Sequence, residues 1–209
     1  RGAAELRARV VTPGLVDAHC VVGVSGFLNQ NHDQEQLERS APIQPELRAV
    51  DAYNPRDELV DYVRSLGVTT LHTGHAPGAL ISGQTMVVKT HPLALDQALV
   101  SPFAMIAGTL GDGSLSGKPD KPPGTRAKAV ALLRAELIKA SEYARKVGNP
   151  DAEKRPPRDL RLEALGRLLD RSVPLLLTVH RHQDVLAALR LAGEFGVRLV
   201  LDGVSDAGL

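Results

Sequence analysis

Apolar positions along this chain follow two rhythms that alternate. Leu59, Val60, Val63 and Leu66 recur at helical spacing and Gly67 closes the run, which predicts a helix over 55–67. The stretch 125–147 is rich in Ala, Leu, Lys, Glu and Arg, residues that lose little side-chain freedom in a helix, and predicts the longest one. Shorter amphipathic runs predict helices over 158–172 and 183–196, the second ended by Gly196. Between these lie short apolar runs of strand length: "LVDAHCVVGV", "VTTLHTG", "TMVVKT", "PFAMIAGTLGDGS" passing into a Gly-rich turn, "VPLLLTVH" and "VRLVLDG". "ELRARVV" reads as one more strand, stopped by Pro13-Gly14.

The second half therefore alternates helix and strand at βα spacing. Its near-continuous apolar strands predict a parallel sheet covered on both faces. A doubly wound sheet and a (β/α) barrel both satisfy this alternation. From 25 to 55 the chain is polar and weakly periodic, a length that usually marks a functional lid or a mobile segment. No short-period repeat is present.

Composition narrows the function classes. With 43% hydrophobic and 23% charged residues the 209-residue chain has an ordinary globular make-up. A formal net charge of +1, with scattered basic residues, gives no general pull toward nucleic acid or a membrane surface. No apolar run approaches the roughly 20 residues needed to span a bilayer. No signal peptide is visible, and a soluble protein of the cytoplasm or periplasm is expected. Cys20 is the single cysteine, so no internal disulfide forms and the compartment stays open. "GTLGDGSLSGKPD" looks superficially like a phosphate loop, but it lacks the Gly-Lys-Ser/Thr arrangement that contacts phosphate and Mg²⁺ and reads as a mobile loop. No G-x-S-x-G elbow occurs.

Several motifs together carry a family resemblance. "VVTPGLVDAH", "QPELRAVDAYNPRD", "LGVTTLHTG", "SGQTMVVKT", "PPGTRAKAVALLRAELIKASEYARK", "PPRDLRLEAL" and "VHRHQDVLAALRLAGEFGVRLVLDG" follow in the order expected of the amidohydrolase superfamily. They resemble its imidazolonepropionase-like branch, as a degenerate member or a fragment. The resemblance implies an α/β fold of the (β/α)8 TIM-barrel type, with residues 12–209 as a partial barrel reaching about strand six. Residues 1–11 would be the remnant of an N-terminal β-sandwich. A full barrel typically takes about 250 residues, and barrel enzymes carry their sites at the C-terminal strand ends.

The same resemblance implies a divalent metal, Zn²⁺ for instance, hydrolysing C–N bonds of a small amide or peptide-like molecule. His19 matches one strand-one ligand and His180 the strand-five ligand. The second strand-one position holds Val21 and the strand-six position holds Gly203, and the family's strand-eight aspartate has no counterpart here. Strand alternation aims Cys20 away from the His19 face and Asp202 away from the Gly203 face. Two ligands fall short of the three that a catalytic zinc usually has. His19 is then either a ligand or a hydrogen-bonded histidine at a strand end. His182 rebuilds a His-x-His spacing with His180, or lies in a polar loop before a helix that Asp184 helps to start. His72 and His75 are candidate substrate or loop contacts, and Lys89 reads as a strand-end residue. Three functions remain open: a metal-dependent hydrolase with a depleted site, a catalytically inactive subunit without metal, and a small-molecule binding domain that uses the barrel mouth without catalysis. The inactive subunit would work in a homo- or hetero-oligomer, beside an active paralogue.

Overall fold

Three helices pack into the larger apolar cluster, and each follows from its sequence. In the computed structural model, which describes residues 7–91, 94–118, 120–206 and 208, α4 spans Arg126–Val147, α5 Leu160–Leu169 and α6 His182–Phe195. Thr125 caps α4 by accepting from the Lys128 amide, and Asp159 caps α5 by accepting from the amides of Arg161 and Leu162. Gly196 ends α6 at φ +67, a left-handed conformation that costs glycine nothing. Ala129, Leu133, Leu137 and Ala140 form the buried stripe of α4 at spacings of three and four.

The earlier elements are smaller. They are β1 (Leu15–Cys20), α1 (Ala49–Ala52), α2 (Glu58–Ser65), β2 (Val68–Thr73), β3 (Gly83–Gln84), β4 (Met86–Lys89), α3 (Leu95–Ala98) and β5 (Leu99–Ser101). The remaining strands are β6 (Ile106–Thr109), β7 (Leu175–Val179) and β8 (Leu199–Gly203). The predicted helix over 55–67 is α2, started by Asp57, whose carboxylate accepts from the Leu59 amide. The polar stretch 25–55 contains a 3-10 turn over 31–33 and helix α1, and hydrogen bonds such as Gln44 N–H to Ile81 O tie it down. For the expected strand "ELRARVV", residues 1–6 lie outside the described residues and 7–11 have no regular structure.

The strands correct the barrel expectation. They form two separate mixed sheets of four strands each, in the orders β1-β2-β4-β5 and β3-β6-β7-β8. Only β1/β2, β6/β7 and β7/β8 are parallel; β2/β4, β4/β5 and β3/β6 are antiparallel. The architecture is a small α/β domain rather than an incomplete TIM barrel. The physical reason lies between β2 and β4. The connection over 74–85 carries no helix, whereas a parallel return needs a crossover of a dozen or more residues, usually helical. The chain therefore returns antiparallel. At Thr85 it passes from one sheet to the other, because Thr85 bonds Met105 and Ala104 on the β6 side just before β4 begins. No helix among the described residues is long and apolar enough to cross a membrane.

The two sheets have separate cores. β7 is buried at every position and packs with α4, α5 and α6 in the larger apolar cluster, around Leu177, Leu165 and Leu191. The smaller cluster gathers Leu71, Met86, Val88 and Val60 under the first sheet. β1 is largely exposed, with Leu15 and Val16 open to solvent.

Candidate functional site

The two sheets meet through polar side chains near the C-terminal ends of β1 and β8. His19 Nδ1 lies 3.0 Å from Asp202 Oδ2, and Thr178 Oγ1 donates to the same carboxylate oxygen at 3.0 Å. Thr178 and Asp202 are register partners on β7 and β8, so their side chains share a face. A carboxylate only accepts, so Nδ1 carries a proton toward Asp202 and, in the neutral ring, Nε2 is the acceptor. That Nε2 is buried and has no hydrogen-bond partner within the protein. A buried acceptor left open in this way is a place for a water, an ion or a ligand atom.

Alternation separates Asp202 from Gly203, and the face that Asp202 takes is the one that carries His19. Gly203 is at φ +81, and a β-carbon there would lie 2.5 Å from His180 Cε1. The His180 ring thus occupies the space beside position 203, and its Nδ1 pairs with Ser205 Oγ at 3.1 Å. His19 and His180 consequently have different partners, Asp202 and Ser205. β1 carries a bulge, since Asp17 pairs Leu71 while Cys20 pairs Thr73, giving β1 one extra residue. Burial pushes the Cys20 thiol up to about 11, opposed by a hydrogen bond with Val22 and reinforced by the Asp17 charge.

His72 and His75 are both buried, as Lys89 is not. His72 Nδ1 donates to Ala18 O at 2.7 Å, which fixes its tautomer, and Nε2 accepts from the Thr85 hydroxyl at 2.7 Å. Both of its nitrogens are thus used to join β1, β2 and Thr85. Its ring lies 6.0 Å from that of His19. His75 has both ring nitrogens buried without a partner and packs on Gly83, where a β-carbon would lie 2.3 Å from its Cδ2. Burial holds both imidazoles below the usual histidine range; carbonyls nearby, Ala18 for His72 and Leu47 and Gln36 for His75, oppose it less strongly. Lys89 Nζ donates to Thr70 Oγ1 at 2.7 Å, in keeping with a strand-end role.

His182 is exposed in the first turn of α6. Asp184, read from sequence as helping to start that helix, lies in its first turn and is buried there. It accepts from Arg126 Nε at 2.8 Å, and Arg126 also pairs with Asp112, which in turn takes Arg181 at 2.7 Å. Arg126 holds the Asp112 carboxyl below its ordinary range. This chain of charges anchors the Gly-rich loop after β6 to α4 and α6. No sequence signal marked it, because its members are far apart in the chain.

A catalytic zinc asks for three protein ligands and an open position. Among the described residues no group of three or more His, Cys, Asp or Glu side chains is placed to hold a metal ion. The buried lone pair of His19, oriented by a carboxylate, suits one bond to a metal. The remaining donors present do not complete the set.

Comparisons with known proteins follow the fold. No family model matches the chain, and no curated protein matches it. A solved structure, the crystal structure of amidohydrolase from Thermotoga maritima MSB8, is similar with a TM-score of 0.86 at 25% sequence identity. The match covers 96% of this chain and 55% of that one, so this chain spans about half the length of the protein it resembles. That likeness supports an amidohydrolase-like relationship.

Proposed function

We propose that this chain is the major part of an amidohydrolase-like protein of the imidazolonepropionase-like branch. It acts on C–N bonds of a small amide or peptide-like substrate, through a site whose metal-binding capacity is depleted. The observation that carries the reading is the His19–Asp202 pair with its buried, unpartnered Nε2. An imidazole held in one tautomer by a carboxylate can take a proton at Nε2, and the carboxylate then stabilises the imidazolium. Thr178 fixes the Asp202 oxygen and so the ring plane. A divalent metal such as Zn²⁺, carried by the whole protein, would supply an acidified water. His19 and His180 are the residues proposed to contribute toward it. They fall short of a full ligand set.

A second reading has its own support. The His180 ring fills the space over Gly203, where the resemblance expects a ligand, and this favours an inactive subunit that binds a partner. One experiment separates the two. Purified full-length protein is assayed for metal content and for hydrolysis of a panel of cyclic amides and dipeptides. Hydrolysis that falls about 100-fold or more in His19→Ala supports the first reading, that being the scale of acid–base catalysis. Hydrolysis indifferent to His19→Ala overturns it. So does an inert panel together with a stable hetero-oligomer.

A further inference from the structure

The loop after β6, which sequence likened to a phosphate loop and set aside, faces the strap over 38–44 across a crevice. One lobe of about 420 Å³ is lined by Arg39, Ser40, Gly78, Gly113, Lys118 and Lys121. A second lobe of about 280 Å³ shares Arg39, Gly78 and Gly113, and reaches Thr109, Thr178 and His180. The two lobes therefore form one crevice outside the C-terminal ends of β6 and β7, where α/β sheets generally receive ligands.

We infer that this crevice binds an anionic group, a carboxylate or a phosphate, through Arg39, Lys118 and Lys121. No ion pair with any of the three is found among the described residues, whereas Arg126, Arg134, Arg158, Arg161 and Arg181 all have carboxylate partners. Of the nearby acids, exposed Asp120 lies between the two lysines in sequence but lines neither lobe. Asp184 and Asp112 are taken by Arg126 and Arg181. Glu38 accepts from the Ser40 amide at 2.6 Å, and that bond keeps its carboxyl below the ordinary range. The large lobe thus sets three cations against one carboxylate, and an excess of one sign of charge in a cleft concentrates ligands of the other.

Both walls are built rather than loose. On the strap side, buried Gln44 donates to the carbonyls of Glu38 and Ala41 and accepts from Ser40 Oγ, framing Arg39. On the loop side, Ser116 N–H donates to Pro123 O, Ser116 Oγ accepts from Lys118 N–H, and Lys121 N–H donates to Lys118 O. Gly117 and Gly124 leave open space around the lysines. The anion's binding place stands independently; that the anion is part of a C–N substrate rests on the hydrolase reading above.

Calorimetric titration of the full-length protein with inorganic phosphate and with succinate tests this. Both anions bind the wild type, and the triple variant Arg39→Gln/Lys118→Gln/Lys121→Gln weakens them at least about tenfold, the scale of one charge-assisted bond. Lys139→Gln, on an exposed turn of α4 where Lys139 pairs with Glu136, leaves them unchanged. All three crevice cations are exposed, so the thermal unfolding midpoint is retained and confirms that the triple variant folds. Tighter succinate assigns the site to a carboxylate and tighter phosphate to a phosphoryl group. A wild type that takes neither anion, or a triple variant that binds like wild type, overturns the inference. Hydrolysis without anion binding removes this site and leaves the proposed function; anion binding without hydrolysis does the reverse.

Discussion

The two sheets are built to different standards. Around β7 every strand position is buried, and three capped helices close over it. Around β1 the strand is mostly exposed, the helices α1 and α3 are a single turn each, and a bulge interrupts the pairing with β2. The candidate site draws on both: His19 rises from β1 and is held by Asp202 and Thr178 of the β7–β8 pair. Rigid elements orient a ring supplied by a looser one, which is how sites are commonly divided between scaffold and loop.

The largest expected effect tests that asymmetry directly. Leu177 and Leu71 are both fully buried, one in each cluster. Leu177→Ala should cost about 3–4 kcal/mol and Leu71→Ala nearer 2, because dense surroundings relax less into a cavity. Urea unfolding of both variants checks this, and equal losses would break the comparison.

Next in size is an alkaline loss specific to the first sheet. The folded chain keeps the Cys20 proton, whose pKa rises from 9.0 to about 11, while the unfolded chain releases it. The native state then binds more protons than the unfolded state, so stability is full below pH 9 and falls by about 2–3 kcal/mol as pH approaches 11. Urea midpoints at pH 8 and 10.5 measure it, and Cys20→Ser should flatten the drop.

Smaller again is Gly203→Ala. At φ +81 and against the His180 ring, it should cost about 1–2 kcal/mol. His180→Ala in the same background should recover the steric part, as a double-mutant cycle would show. The smallest effect is a cap. Asp159→Ala removes the acceptor for two α5 amides and should lower stability by about 1 kcal/mol, with Asp57→Ala at α2 no larger. A larger loss at Asp57 would place the stronger scaffold in the first sheet instead.

Legibility divides along the same line. Helices α2, α4, α5 and α6 and the strands β7 and β8 were readable because each writes its burial pattern locally, as the Ala129–Ala140 stripe does. The one-turn helices α1 and α3 and the strand β5 were not, since elements of three or four residues carry no periodicity to detect. His19 and His180 were found from motifs. The pairing of Asp202 with His19 had no sequence signal, nor had the Arg126–Asp184–Asp112–Arg181 chain.

By itself, then, the sequence determined which segments turn into helices and strands and the two histidines worth watching; that Val21 and Gly203 stand where ligands would be is an expectation from the resemblance. Only the tertiary structure decided that the strands split into two mixed sheets, because a helix-free connection after β2 forces an antiparallel return. Only it decided that Asp202 meets His19, since a face shared by residues 183 positions apart is a property of packing and not of any local period.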